Sequence, residues 1–214
     1  MAIVQNPITG RTKQKFGSAV FSKQFGKNTM RTKPIEVKNP KTLLQRQQRA
    51  KFTLMVALAR LIMSFIRVSF KQVATTMSQF NMFVKSNITD AITGVYPNYS
   101  IDFTKVIISK GTLTGADSGA AAAGAGHVID IIWVNNAGNG DALDTDVAMA
   151  LVINNTKKAI VQDMLTKTRL DENLQLTVPA SWVGDQVHVY LSFKTLVGSS
   201  VADSTFLATV IVLA

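Results

Sequence analysis

Gln186-Val187-His188-Val189-Tyr190-Leu191-Ser192-Phe193 is the stretch from which the fold is read. Val187, Val189, Leu191 and Phe193 occupy every second position, with His188, Tyr190 and Ser192 between them. A period of two places alternate side chains on opposite faces, so the segment reads as a half-buried antiparallel strand. Working outward, six more runs of strand character occur at 101–109, 127–134, 147–154, 159–163, 173–178 and 205–213. Turn-rich stretches separate them at 110–126, 135–145 and 194–204. Seven short strands without intervening helices predict an antiparallel β-sandwich of immunoglobulin or fibronectin type III architecture over 96–214. No cysteine is present, so the Cys-Trp-Cys pattern of antibody domains is absent, and Trp133 and Trp182 are the expected core aromatics. Gly119–Gly126, rich in Ala and Gly, reads as a loop or tight turn.

Upstream of Gly94 and Pro97 the period changes, and 39–95 reads as a helical segment. Thr42, with Gln45 three residues on, is a capping-box start. From there to Phe70 no proline or glycine interrupts, so one helix is expected. At 100° per residue Arg46, Arg49, Arg60, Arg67 and Lys71 fall in one wedge about 60° wide, shared with Thr53 and Ser64. The other sides carry Leu54, Met55, Leu58, Leu61, Ile62, Phe65 and Ile66. Residues 42–71 hold no acid, so the stripe has no i,i+4 partner within the helix. Three roles suit it: a solvated face, a dock for acidic groups of another subunit, or a contact for nucleic-acid backbone. The run 54–70 is short of a membrane span and is broken by Arg60, Ser64 and Arg67, so it reads as a helix in protein. A second helix is expected over 73–88.

Residues 1–38 fit neither period. Gly10, Gly17 and Gly26 punctuate them, and Arg11, Lys13, Lys15 and Arg31 are among their basic residues. A hairpin or extended arm is expected, one that buries too little by itself to offset its ordering entropy. The charge is uneven along the chain. Residues 1–71 hold 15 Lys and Arg against Glu36 alone, whereas 72–214 hold 8 bases and 12 acids, a balance of −4. A basic end of this kind calls for an anionic or acidic partner.

Sites for chemistry are few. Without cysteine there is no disulfide, thiolate or thiolate-bound metal. His127 and His188 have no neighbouring acid cluster or nucleophile turn and read as polar residues on the outer face of a sheet. The loop Asn139-Gly140-Asp141-Ala142-Leu143-Asp144-Thr145-Asp146 alternates oxygen ligands, yet it lacks the terminal Glu of a calcium loop and reads as an acidic turn. No phosphate-loop pattern occurs, no apolar leader follows the N-terminus, and no cofactor is called for.

Three stretches carry a resemblance: 39–52 (NPKTLLQRQQRAKF), 96–103 with 109–113 (YPNYSIDF and SKGTL), and 189–193 with 204–207 (VYLSF and STFL). In them the chain resembles an uncharacterised family of proteins of about this length from Bacteroidetes bacteria and their phages. Leu43 stands where that family often has Pro, a change that a helix start tolerates. The resemblance implies a virion component and brings no catalytic residue. The expected function is therefore a non-enzymatic structural or assembly protein, in a virion or the bacterial cytoplasm. Self-association or other virion proteins would be its partners. Arg11, Lys13, Lys15, Arg31, Arg46, Arg49, Arg60, Arg67 and Lys71 would be the contact residues. The alternatives are a nucleic-acid-binding accessory protein using the arm, and a surface- or carbohydrate-binding module using the sandwich loops.

Overall fold

The computed structural model describes residues 2–3, 14–24, 26–36 and 39–214. The chain divides into two compact units, Met1–Gln45 and Arg46–Ala214. In the first, β1 (Ala2–Ile3), β2 (Gln14–Phe16), β3 (Ala19–Gln24) and β4 (Lys27–Thr32) form an antiparallel sheet in the order β1-β4-β3-β2. Gly17, at φ +58°, lies in the turn between β2 and β3, a backbone conformation glycine adopts without Cβ strain. The hydroxyls of Ser22 and Thr29 pair across β3 and β4 at 2.6 Å.

The helical segment starts at the expected Thr42, whose Oγ1 accepts from the Gln45 amide at 3.4 Å, and α1 spans Leu43–Leu61; the capping box is only half formed, since Gln45 Oε1 has no hydrogen-bond partner among the described residues. It does not run on to Phe70. The helix bends by 86° at Ile62 and resumes as α2 (Met63–Ser69). Ile62 has φ −100° and ψ 25°, but the Ile62 and Ile66 amides still reach the carbonyls four residues back. The cause is burial. Met55, Leu58, Ala59 and Ile62 before the bend, and Phe65, Ile66 and Phe70 after it, all join one core. Among the described residues no single helix is long and apolar enough to cross a membrane. The third helix, α3 (Gln79–Asn87), starts later than the apolar spacing implies, at the Ser78 cap, whose side chain accepts from the Asn81 amide.

A hairpin of β5 (Ile92–Val95) and β6 (Asn98–Ile101) follows, with Tyr96–Pro97 in the cis form. The rest of the unit carries two antiparallel sheets. One is ordered β10-β9-β12-β13, from β10 (Ala159–Asp163), β9 (Val147–Asn154), β12 (Gln186–Lys194) and β13 (Thr205–Ile211). The other is β11-β8-β7, from β11 (Asn173–Thr177), β8 (Val128–Val134) and β7 (Asp117–Gly124). Six of the expected strands are found. The seventh, 101–109, is a single 3-10 turn in irregular chain. Its place is taken by Gly119–Gly126, most of which lies in β7, paired with β8. Alanine and glycine give a strand no periodic signal and little intrinsic preference, so only the partner strand reveals it.

In the sheet β10-β9-β12-β13 the central strands β9 and β12 are buried on both faces. Ala148, Ala150 and Val152 of β9, with Val187, Val189, Leu191 and Phe193 of β12, share a core with Ile129, Ile131 and Trp133 of β8 and Leu174 and Leu176 of β11. Both tryptophans belong to that core. On the other face Met149, Leu151, Ile153 and Tyr190 pack with α1, α2 and α3. The alternation in β12 was expected to mark a half-buried strand, but Tyr190 and Ser192 are fully buried. The helices supply the missing cover, and the Tyr190 hydroxyl donates to the Phe103 carbonyl at 2.6 Å. Helices and sheets thus form three layers of one compact unit, residues 46–214.

Candidate partner-binding surface

The basic residues singled out by the sequence distribute unevenly. Arg11 and Lys13 lie outside the described residues. Lys15 lies in β2, and Arg31, in β4, is exposed. Arg46, Arg49 and Arg60 lie on α1, Arg67 on α2 and Lys71 just beyond it, all exposed. The bend splits the stripe: Arg46, Arg49 and Arg60 share one helix, while Arg67 and Lys71 follow a second axis. Among the described residues none of Arg31, Arg46, Arg60, Arg67 and Lys71 forms an ion pair; the pairs present are Lys105–Asp102, Lys167–Asp171 and Arg169–Asp146. The first unit holds nine Lys and Arg against Glu36, and the second holds 14 against 12 acids, net charges of +8 and +2.

Beside the stripe lies a groove of about 490 Å³. Leu54, Leu58 and Leu61 of α1 and Ile101 of β6 line it, and the exposed side chains of Arg60 and Lys158 stand at its rim. Lys158, in the β9–β10 turn, has φ +50°, and its ammonium donates to Asn155 Oδ1 at 2.7 Å. Lys51 lies over the Tyr99 ring, 5.2 Å from its centroid. The nearest acid in sequence to Ile101 is Asp102. It accepts from the Thr104 hydroxyl and amide and pairs with Lys105, and these contacts hold its carboxyl below the usual carboxylate range.

The acidic loop is built for support. Asp141 accepts from the Thr114 hydroxyl at 2.7 Å and amide at 2.8 Å, which lowers its pKa. Asp144 accepts from Asn135 Nδ2 at 2.7 Å. Asp146 accepts from the Leu143 amide at 2.9 Å and pairs with Arg169 at 3.2 Å, both partners fully buried. With its three carboxylates spent this way, the loop does not gather a metal site, and no group of three or more His, Asp or Glu suited to a metal occurs among the described residues.

Arg169 is the residue that the sequence least foretells. Nothing in Thr168-Arg169-Leu170-Asp171 sets it apart from the chain's other arginines, yet it is entirely buried. Its guanidinium donates to the carbonyls of Thr114 and Gly115, to Asn136 Oδ1 and to Asp146, and lies 3.9 Å from the centre of the Phe193 ring. Its own carbonyl accepts from Trp133 Nε1 at 2.9 Å. Burial pulls its pKa down, and Asp146 opposes that shift. One guanidinium therefore ties the chain at 114–115, 136 and 146 to the edge of the core between the two sheets.

Neither histidine sits on a free outer sheet face. His127 lies in a turn at φ +62°, its Nδ1 3.2 Å from the Leu213 carbonyl. His188 stacks on Phe103 with ring centres 4.0 Å apart, and burial lowers its pKa. The described residues therefore supply two exposed features of contrasting kind, a basic-rimmed apolar groove and a braced acidic loop. No curated protein and no solved structure matches the chain. Residues 10–208, almost its whole length, match the Family of unknown function (DUF6266), and the chain belongs to that family.

Proposed function

We propose that the chain is a non-enzymatic structural or assembly protein, a subunit of a phage particle or a comparable assembly, whose basic first unit and α1 contact neighbouring subunits. The observation that carries this reading is that the exposed Arg31, Arg46, Arg60, Arg67 and Lys71 form no ion pair among the described residues. Such a set is costly to concentrate unless an acidic or anionic surface meets it. The buried polar groups support the same reading, because Arg169, Asp146, Asn87 and Tyr190 are all engaged in bracing the fold.

We also read the two sheets as a sandwich of fibronectin type III kind. With β7 to β13 taken as the seven strands in order, the first, second and fifth share one sheet, and the third, sixth and seventh share the other. Immunoglobulin constant domains divide these six strands in the same way. The fourth strand, β10, pairs with the third, β9, where the constant domain places it beside the fifth.

The test replaces Arg46, Arg49, Arg60 and Arg67 together by Gln and follows assembly by light scattering across a salt series, with and without nuclease. The expected result is weaker assembly of the variant, steep loss of wild-type assembly with salt, and no effect of nuclease. Unchanged assembly at every salt would leave the stripe as a solvated face. Dissociation by nuclease would assign the cations to nucleic-acid backbone.

A further inference from the structure

We infer that the basic-rimmed groove receives the acidic loop face of a second copy of this chain, so that subunits join head to tail. This rests on the assembly reading above and identifies the contact. The groove offers Leu54, Leu58, Leu61 and Ile101 between Arg60 and Lys158. Its complement is elsewhere in the same unit. Leu143 and Leu170 are 58% and 62% exposed, large apolar side chains held out in water. Asp144, Asp171 and Glu172, all exposed, surround them. The Leu170 amide donates to the Asp144 carbonyl at 3.3 Å, which sets the two leucine-bearing turns side by side. Asn135 draws Asp144 and Glu172 together, donating its side-chain amide to one and its backbone amide to the other. Lys167 pairs with Asp171 and offsets part of the charge, leaving the face acidic. The result is an apolar knob with an acidic collar, complementary to an apolar groove with a basic rim.

The knob is rigid enough to dock without a large ordering cost. The buried Asp146–Arg169 pair and the Leu143 amide bond to Asp146 pin the loop from beneath. Geometry then decides between self-closure and assembly. Asp144 lies just before β9 and Lys158 just after it. An eight-residue antiparallel strand is about 27 Å long, so knob and groove stand at opposite ends of the sheet. A chain cannot place its own knob in its own groove. A contact between unlike patches repeats from copy to copy, closing into a ring or extending into a filament.

The experiment uses two full-length variants, Arg60→Glu with Lys158→Glu in the groove, and Leu143→Lys with Leu170→Lys on the knob. All four side chains but the Lys158–Asn155 contact are free of side-chain hydrogen bonds among the described residues, so the fold should tolerate them. Sedimentation velocity is run on each alone and on an equimolar mixture. The expected result is that each variant alone loses the larger species of the wild type, whereas the mixture forms a one-to-one dimer and nothing larger. In that mixture one intact knob meets one intact groove, which also shows both variants to be folded. Wild-type assembly retained by both variants would refute the knob and groove while leaving the assembly reading intact. A wild type that stays monomeric at every concentration would overturn both.

Discussion

Removing the Asp146 carboxylate tests what holds the acidic loop to the edge of the core between the two sheets. In D146A the Arg169 guanidinium stays fully buried and keeps its bonds to the Thr114 and Gly115 carbonyls, but it loses the one anion at contact distance among the described residues. Among the described residues its Nε has no hydrogen-bond partner, so they offer no spare acceptor to compensate. Breaking one side of a buried ion pair costs about 3–5 kcal/mol, because the remaining charge is left without its counterion in a low-dielectric place. In a unit of this size each kcal/mol lowers the melting temperature by about 2–4 °C, so the midpoint should fall by about 6–20 °C. The Leu143 amide also loses its acceptor, so the 139–146 loop should exchange its amides faster. Urea and thermal unfolding of wild type, D146A and the double variant D146A/R169M measure this. The double variant should recover part of the loss, since an apolar replacement removes the stranded charge. A D146A cost below about 1 kcal/mol, the range of exposed pairs, would show that the pair is solvated and that Arg169 is not the brace.

Deleting residues 1–38 should leave a cooperative melt within a few degrees of the full chain, because 46–214 holds both core clusters; loss of the cooperative transition would place the first unit in the core. Self-association should weaken in the same deletion without vanishing, as measured by sedimentation. His188 should make stability pH-dependent: its folded pKa is lowered by burial, so the unfolded chain binds the proton more tightly. The stability it contributes is present above the unfolded value of about 6.5 and is lost as pH falls through the folded one. His188→Phe should flatten that part of a melting-temperature profile, and an identical slope in the variant would assign the effect to other groups.

Much of the sheet was legible because burial writes itself into a strand at every second residue, or as an unbroken apolar run when both faces are covered. Val147–Asn154 and Ala159–Asp163 were readable to the residue, and both tryptophans lie where core aromatics were expected. Asp117–Gly124 was not readable, because alanine and glycine carry no period. The bend at Ile62 was equally hidden. No proline or glycine marks it, and it places residues from both helices in one core.

By itself the sequence determined the charge asymmetry, the absence of thiol chemistry, the cap at Thr42 and the antiparallel strand pattern, since each depends on residue type and spacing along the chain. Only the tertiary structure decided that helices cover the second face of the central sheet and bury Tyr190 and Ser192. It also decided that Arg169 is the hidden brace, and that a leucine-tipped acidic face and a basic-rimmed groove stand at opposite ends of β9. These are relations between residues far apart in the chain. They arise from which surfaces meet when the layers close, a property that no local pattern encodes.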